Sequence, residues 1–230
     1  MRRLIWLGEH GAADDFPPVE EALTDPPGLL AAGGDLEPAR LLAAYRRGIF
    51  PWYSDRQPIL WWSPDPRMVL MPREFHRSRS LQRTLRSGRF ETRLDAAFGA
   101  TIRACAAPRL SGPHTWLNEA MVAAYERLHA AGYAHSIETY RGGELVGGLY
   151  GIALGGVFFG ESMFSRLADA SKVALARLVA ECERRGIELV DCQIASAHLA
   201  SLGAREIPRR QFIETLGRLS RHARAESWAA

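Results

Sequence analysis

Two polar residues, Asp191 and Gln193, interrupt the apolar segment IELVDCQIAS (residues 187–196). Leu189 and Val190 give this segment the character of a buried strand. Because side chains alternate between the two faces of a strand, Asp191 and Gln193 are predicted to point the same way. A carboxylate and an amide in a core cost free energy unless they are hydrogen-bonded or used, so the pair predicts a functional site.

A second carboxylate, Glu161, lies in the apolar segment VFFGESMF (residues 157–164). Strand alternation predicts one shared face for four residues: Val157, Phe159, Glu161 and Met163. Either the two acids are structural and paired with an arginine, or they form a polar floor that holds a substrate amine. We favour the second interpretation, because two separate strands break the apolar pattern with acids. In that interpretation Met163, Leu175 and Leu178 form an apolar pocket beside the floor.

The elements that position these residues indicate an α+β fold. The predicted segments, in chain order, are helices LDAAFGATIRACA (94–106) and NEAMVAAYERLHAAG (118–132), strands AHSIETYR (134–141), ELVGGLYGIAL (144–154) and VFFGESMF, helix DASKVALARLVAECERRG (169–186), strand IELVDCQIAS and helix RRQFIETLGRL (209–219). Glycine pairs join the first three strands, as is typical of hairpins. An antiparallel meander, a crossover helix and one further strand predict a mixed sheet covered by helices. This order resembles the core of the GNAT acyltransferase superfamily.

The first part of the chain is predicted to be a small N-terminal domain, residues 1–67. It is rich in Pro, Gly and Trp and contains one short helix, EPARLLAAYRRG, which is predicted to be capped by Asp35 and closed by Gly48. The Pro64–Pro66 stretch marks the predicted boundary. Residues 68–230 are then the GNAT-like catalytic domain.

The composition is typical of a globular protein, with 230 residues of which 47% are hydrophobic and 24% charged. No apolar run approaches the roughly 18 residues of a membrane span, and the apolar stretch at the N-terminus is too short for a secretory signal. The three cysteines are widely spaced and the seven histidines lack metal-ligand spacing. We therefore expect a reducing, cytoplasmic environment, no disulfide framework and no metal site.

Basic residues are concentrated in the segment PREFHRSRSLQRTLRSGRFETR (residues 72–93). Lys172 is the only lysine among the 29 basic residues of the chain, so the basic surface is made almost entirely of arginine. Guanidinium groups are well suited to phosphate. The run is explained equally by a solvated helix face and by a surface that binds a polyanion, and both interpretations stay open at this point.

The segment before the long helix bears on the acyl donor. GNAT acetyltransferases hold the pyrophosphate of coenzyme A on a glycine-containing loop at this point, whereas the corresponding linker, SRLADASK (165–172), has no glycine. Coenzyme A is therefore not the predicted donor. The arginine run together with Trp52 and Trp116 indicates a donor with phosphates and a stackable base. Trp61 and Trp62 are predicted to be core residues.

A set of longer motifs closely resembles the leucyl/phenylalanyl-tRNA–protein transferase family. In chain order the motifs are GLLAAGGDLEPARLLAAYRRGIFPW, ILWWSPDPR, HRSRS, HSIE, LVGGLYG, GESMFS, ASK, DCQ, SLGA and EIPRR. They occur in the order found in the family and span about residues 28–210. The resemblance implies a bacterial cytosolic enzyme of the N-degron pathway without a cofactor. Such an enzyme moves Leu or Phe from aminoacyl-tRNA to the N-terminal Arg or Lys of a protein.

The resemblance also implies roles for individual residues. The catalytic motifs match Asp191, Gln193 and Glu161, with Gln193 orienting the amine under polarisation by Asp191 and Glu161 attracting the cationic N-terminal residue. The remaining matches are Trp52 and Trp116 for the terminal adenosine, Leu149, Met163, Leu175 and Leu178 for the amino-acid side chain, and Arg79, Arg83 and Arg86 for the tRNA acceptor stem.

Two other function classes remain in view. A coenzyme-A-dependent N-acetyltransferase would share the fold, and binding of acetyl-CoA distinguishes it. A non-catalytic RNA-binding module would keep the arginine run and the tryptophans. Such a module would not require Asp191, Gln193 and Glu161 on core strands.

Overall fold

The computed structural model describes residues 3–107, 117–221 and 227–228. A small sheet lies at the N-terminal end, with strand order β1-β2-β4-β3, in which β1 and β2 are parallel and the other neighbours antiparallel. Its elements are β1 (Ile5–Leu7), a 3-10 turn (Val19–Glu21), β2 (Leu29–Gly33), α1 (Pro38–Arg46), β3 (Phe50–Pro51) and β4 (Leu60–Trp62).

The N-cap of helix α1 lies two residues after the predicted cap, Asp35. Glu37 is the N-cap and Pro38 takes the first helical position, where a missing N–H costs nothing. The predicted cap Asp35 instead accepts a hydrogen bond from the backbone N–H of Glu37 at 2.9 Å and pairs with Arg40 at 2.9 Å. Asp35 therefore binds the backbone just before the helix and does not cap its first turn, so the predicted cap is wrong.

A mixed sheet of seven strands forms the centre of the molecule, in the order β11-β5-β10-β9-β8-β7-β6. Its elements and neighbours are β5 (Arg67–Leu70), a 3-10 turn (Pro72–Glu74), α2 (Arg79–Arg86), β6 (Glu91–Leu94), α3 (Phe98–Ala106), α4 (Glu119–Ala130), β7 (Ala134–Arg141), β8 (Glu144–Leu154), β9 (Val157–Ser165), α5 (Ala170–Arg185), β10 (Leu189–Gln193), α6 (Ala197–Ser201), β11 (Arg205–Ile207) and α7 (Arg209–Leu219). Among the described strands of this central sheet, the one parallel pair is β9 and β10, which α5 connects.

The predicted α+β architecture is confirmed in its central part. The meander β7–β8–β9, the crossover helix α5, strand β10 and helix α7 lie where the periodicity placed them. Strands β5, β6 and β11 were not predicted, because three or four residues show too little alternation. The predicted helix at 94–106 begins only at Phe98, since Asp95 adopts a left-handed φ of 52° and binds the backbone N–H of Ser136 at 2.7 Å.

Helices cover both faces of the central sheet. On one face α1, α3, α4 and α7 enclose a hydrophobic cluster that contains Tyr45, Phe98, Tyr125 and Phe212, here called cluster A. On the other face α2 and α5 enclose a second one around Leu178, cluster B. None of the helices within the described ranges combines the length and apolar character that a membrane span requires.

The predicted division of the chain at residue 67 stays a prediction. Arg67, the last residue assigned to the N-terminal domain, is the first residue of β5 in the central sheet. Cluster A joins Leu7 and Trp61 of the small sheet to the helices on the central one. The predicted core role is confirmed for Trp61, which is fully buried and donates its indole N–H to the Gly33 carbonyl at 2.9 Å. Trp62 is half-buried and packs against cluster A.

Candidate active site

A β-bulge in β9 sets the direction of the Glu161 side chain. Gly160 lies opposite Gly151 and Ser162 lies opposite Tyr150, so Glu161 is an extra residue without a partner on β8. The strands approach closely here, because a Cβ on Gly151 would lie 2.1 Å from the Phe159 carbonyl oxygen. Bulges of this kind re-aim side chains next to functional sites.

The bulge also corrects the predicted face of β9. Val157 and Phe159 belong to cluster A, and the Glu161 carboxylate contacts tyrosines of that cluster. Met163 packs against cluster B on the opposite face. The prediction that Met163 shares a face with Val157 and Phe159 is therefore wrong, because the extra residue shifts the alternation by one position.

Three side chains donate hydrogen bonds to the Glu161 carboxylate. The Tyr45 hydroxyl lies 2.8 Å from Oε1, the Tyr125 hydroxyl 2.8 Å from Oε2, and Nε2 of Gln193 lies 2.9 Å from Oε1. The two tyrosine hydroxyls are themselves 2.6 Å apart. Burial raises the pKa of Glu161 from its ordinary value of 4.5 to about 7, although the tyrosine hydrogen bonds act in the opposite direction.

Asp191 forms a buried ion pair with Arg67. Nε of Arg67 donates to Oδ1 at 2.8 Å and its terminal nitrogen donates to Oδ2 at 2.6 Å, and both side chains are fully buried. The guanidinium group lies between the rings of Phe50 and Phe212, at 4.8 and 4.6 Å, and also donates to the Gly48 carbonyl. For Asp191 the structure therefore shows the first of the two sequence interpretations, an acid paired with an arginine.

Gln193 leaves the regular strand and reaches the other acid. Its φ of 58° is left-handed, and the pairing of β10 with β5 shifts register between Asp191 and Gln193. The backbone N–H of Gln193 donates to Oδ1 of Asp191 at 3.0 Å, while its carboxamide donates to Glu161. The expectation that Asp191 polarises the Gln193 carboxamide is wrong, because the carboxylate contacts the backbone. The carboxamide N–H points to Glu161, so its carbonyl oxygen is directed away from that acid.

The predicted apolar pocket exists as one cavity of about 380 Å³ between β8, β9 and α5. Its apolar wall contains all four residues matched to the amino-acid pocket: Leu149, Met163, Leu175 and Leu178. Glu161 and Gln193 form part of its polar wall, together with Ser162 and Ser196.

A second cavity of about 180 Å³ adjoins the first. Its lining contains Trp52, Phe50 and Ile194, and it shares Glu161 and Gln193 with the larger cavity. Trp52 is 39% exposed and packs edge-on against Trp62, with ring centres 5.6 Å apart. Trp116, the predicted partner of Trp52, lies outside the described residues. Asp191 does not line either cavity among the residues that the structure describes.

The three predicted RNA-binding arginines lie on one exposed side of α2. Arg79, Arg83 and Arg86 have helical spacing, and Leu81 and Thr84 turn the opposite side toward the core. The Thr84 hydroxyl donates to Asp169 before α5, which anchors the helix. Within the described residues none of the three arginines has an ion-pair partner, whereas Arg93 binds Glu91 at 2.8 Å. The α2 surface, defined by these three arginines, is therefore open to an anion.

Sequence reasoning did not find Arg67, Tyr45 or Tyr125. Arg67 had one usable signal, because a buried carboxylate requires a cation and this arginine directly precedes an apolar strand. The two tyrosines have the spacing of ordinary core residues in their helices and gave no signal. No group of three or more His, Cys, Asp or Glu side chains suited to a metal ion occurs in residues 3–107, 117–221 and 227–228.

Comparison with known proteins gives a consistent result along the chain. The family described as Leucyl/phenylalanyl-tRNA protein transferase matches residues 69–217, and its N-terminal domain matches residues 34–65. Among curated proteins, the Leucyl/phenylalanyl-tRNA--protein transferase of Nitrosospira multiformis is 59% identical over 97% of this chain and 95% of its own length. The protein of the same name from Aromatoleum aromaticum is 65% identical, covering 86% of this chain and 84% of its own.

Two solved structures align with this chain at low sequence identity. A GCN5-related N-acetyltransferase from Kribbella flavida aligns with a TM-score of 0.40 at 12% identity, over 75% of this chain and 61% of its own. L-PGS from Bacillus licheniformis aligns with a TM-score of 0.42 at 10% identity, over 73% of this chain and 53% of its own. Likeness at this level is too weak to imply a shared activity.

Proposed function

The chain belongs to the leucyl/phenylalanyl-tRNA protein transferase family and is an aminoacyltransferase, and we propose that it transfers Leu or Phe from aminoacyl-tRNA to the N-terminal Arg or Lys of acceptor proteins. The product carries a new peptide bond and a destabilising N-terminal residue. The reaction takes place in the cytoplasm and requires no cofactor. Met is a third donor amino acid, because an apolar pocket discriminates by only about 1–3 kcal/mol per methylene.

The observation that supports this function best is the junction of the two cavities at Glu161 and Gln193. The Leu or Phe side chain occupies the larger cavity, where apolar side chains surround it. The terminal adenosine of the tRNA packs on Trp52 beside the smaller cavity, and Trp116 is its proposed second contact. The ester carbonyl carbon then lies at the junction, next to polar groups that can meet an amine.

The chemistry at the junction is mainly positioning. An aminoacyl ester is already activated, and an α-amine has a pKa of about 7.7–8.0, so a fraction of it is uncharged near neutral pH. The carbonyl oxygen of Gln193 accepts an N–H of this amine and aligns its lone pair with the ester carbon. A C–N bond forms, the C–O bond to the ribose breaks, and the ribose oxygen leaves as a hydroxyl group.

Asp191 is proposed as a positioning residue rather than a group that touches substrate. Its carboxylate, held by Arg67, accepts the backbone N–H of Gln193 in the left-handed turn. The ion pair therefore determines where the Gln193 carboxamide lies.

The function is tested by transfer of radiolabelled Leu and Phe from charged tRNA to two peptides that differ only in their first residue, Arg or Ala. We expect labelling of the Arg peptide alone. Gln193→Ala is expected to abolish most of the transfer, whereas Gln211→Ala, on the exposed side of α7, serves as the matched control.

Two outcomes would contradict the proposal. Equal labelling of the Arg and Ala peptides would remove the proposed acceptor specificity. Absence of transfer together with tight binding of acetyl-CoA would favour the N-acetyltransferase alternative.

Leu178→Ala is expected to change the donor preference. Leu178 is buried and forms part of the wall of the larger cavity, so its truncation enlarges the space for the donor side chain. We expect the ratio of kcat/KM for Phe to that for Leu to rise by about tenfold, at a cost in stability of about 2–5 kcal/mol. Leu202→Ala is the matched control, because Leu202 is buried in cluster B outside the cavity wall. An equal change of the ratio in both variants would remove Leu178 from the specificity pocket.

Arg83→Ala is expected to weaken the salt dependence of tRNA binding. Each phosphate contact contributes about 0.7–0.9 to the slope of log Kd against log salt concentration, so the slope should fall by that amount. The measurement is a filter-binding series with charged tRNA. Arg103→Ala is the control, because Arg103 is exposed on α3 at the opposite face of the sheet and pairs with Glu126. An unchanged slope for Arg83→Ala would exclude the α2 surface from the tRNA interface.

A further inference from the structure

The hydroxyls of Tyr45 and Tyr125 and the carboxyl group of Glu161 form a closed ring of three oxygen–oxygen contacts. Tyr45 to Tyr125 measures 2.6 Å, Tyr45 to Oε1 2.8 Å and Tyr125 to Oε2 2.8 Å. All three distances are those of O–H···O hydrogen bonds. We call this arrangement the tyrosine–glutamate ring.

The ring requires one more hydrogen than the tyrosines supply. Each of its three contacts needs one hydrogen, and the two phenol groups carry two. If both hydroxyls donate to an ionised carboxylate, the 2.6 Å contact between them sets two lone pairs against each other. A protonated Glu161 supplies the third hydrogen, so that its O–H and the two tyrosine hydroxyls each donate one hydrogen bond around the ring, and its carbonyl oxygen accepts one.

The tyrosine hydroxyls do not lose their protons when the ring opens. Burial, followed by the charge of Glu161, raises the pKa of Tyr45 and of Tyr125 well above the ordinary value. Both therefore stay protonated while Glu161 titrates. The proton that completes or opens the ring is the one on the carboxyl group.

Other titratable and charged groups surround the ring without competing for this proton. They are Tyr150 on β8, Arg67 on β5, Asp191 and Cys192 on β10, and His198 on the wall of the larger cavity. Burial raises the pKa of Tyr150 and of Cys192 and lowers the pKa of His198, and Arg67 and Asp191 bind each other. Glu161 is the group of this set that hydrogen-bonds the Gln193 carboxamide.

We propose that the tyrosine–glutamate ring takes one proton from the α-ammonium group of the acceptor, with Glu161 as the general base and Tyr45 and Tyr125 as positioning residues. This inference rests on the proposed function. The acceptor reaches the junction of the two cavities as an ammonium ion and is converted there into the nucleophile.

The proton and bond balance is complete without another reactant. One proton passes from the ammonium nitrogen to the Glu161 carboxylate, which completes the ring and leaves a free amine. The amine forms the C–N bond with the ester carbon while the C–O bond to the ribose breaks. The nitrogen loses a second proton to the departing ribose oxygen. The protonated ring returns its proton to water before the next turnover.

The proton affinities of the two groups are closely matched. The pKa of Glu161 is about 7 and that of an α-amine about 7.7–8.0, so proton exchange between them is nearly balanced near neutral pH. An acid with an ordinary pKa would leave the amine protonated. General bases of this kind contribute about 10²–10⁴-fold to a rate.

The first test follows the carboxyl proton by infrared spectroscopy, through the C=O band of the protonated acid, assigned by its loss in Glu161→Gln. The wild-type band should disappear as the pH rises through about 7. Tyr125→Phe removes one of the hydrogen bonds that stabilise the ionised carboxylate and lower its pKa. The midpoint should therefore move up.

An unchanged or lower midpoint in Tyr125→Phe would overturn the ring, because removal of a hydroxyl that donates to the carboxylate must raise its pKa. Tyr45→Phe serves as a second variant with the same expected direction. Tyr150→Phe is the matched control for this spectrum, since the Tyr150 hydroxyl is buried without a hydrogen-bond partner among the described residues. Its midpoint should stay in place.

The second test uses Glu161→Gln in the transfer assay. A carboxamide can donate and accept like the neutral acid, so the ring stays closed, but it cannot take a proton from an ammonium group. We expect kcat to fall about 10²–10⁴-fold with an unchanged Kd for tRNA. Full retention of kcat would overturn the general-base role. Failure of the wild-type protein to transfer any amino acid would instead remove the proposed function, while the infrared midpoint would still report on the ring.

Discussion

Asp191→Asn is expected to lower the free energy of unfolding by about 3–5 kcal/mol and to remove most of the transfer activity. The substitution preserves the shape of the side chain but removes its charge. Arg67 is then left as an unpaired cation in a fully buried position between two aromatic rings. A charge in such a place cannot recover its hydration, which is the reason for the large cost.

The loss of activity follows from the same contact. Oδ1 of Asp191 accepts both Nε of Arg67 and the backbone N–H of Gln193. A weaker acceptor at this position loosens the left-handed turn that directs the Gln193 carboxamide toward Glu161. Urea unfolding and the peptide-transfer assay measure the two effects separately.

A double replacement separates stability from function. Arg67→Met combined with Asp191→Leu removes both charges, so much of the lost stability should return while transfer stays low. Glu126→Gln is the control for an ion pair in solvent, because its partner Arg103 is exposed. This substitution should lower the free energy of unfolding by less than about 1 kcal/mol. A loss of less than about 1 kcal/mol for Asp191→Asn would contradict the role assigned to this pair.

Glu161→Gln is expected to change how stability depends on pH. The pKa of Glu161 in the folded protein, about 7, lies above its ordinary value of 4.5. Between these two values the folded chain binds more protons at this site than the unfolded chain, so the contribution of Glu161 to stability falls as the pH rises. This difference between the two pKa values corresponds to a change of about 3 kcal/mol in the free energy of unfolding.

The measurement is a series of urea-unfolding curves between about pH 4 and pH 8 for both proteins. The free energy of unfolding of the wild type relative to Glu161→Gln should fall by about 3 kcal/mol across this range. Glu91→Gln is the control with the opposite sign, because its hydrogen bond with Arg93 lowers the pKa of Glu91. Parallel curves for the wild type and Glu161→Gln would show that Glu161 titrates alike in the folded and unfolded chains.

Local patterns in the chain were enough to identify the central fold and one wall of the site. Alternation over eight or more residues located β7, β8 and β9, and helical periodicity located α5. Leu149 and Leu178 of the matched pocket do line one cavity, since both lie on long regular elements whose inward faces repeat predictably. Short strands such as β5 were not predicted, because four residues carry almost no periodic signal.

The polar part of the site depends on contacts between residues that are far apart in the chain. Arg67 meets Asp191 across 124 positions, and Tyr45 meets Glu161 across 116. Local periodicity identifies neither Arg67 nor Tyr45 as a partner of these acids. It indicates that a tyrosine faces the core, but not which carboxylate lies there. The bulge at Glu161 arises where β9 pairs with β8, and the left-handed turn at Gln193 arises where β10 pairs with β5. The alternation of residues within one segment carries no information about its neighbouring strand. Sequence identified the two acids as the residues to explain; only packing determined that Arg67 neutralises one and that two tyrosines surround the other.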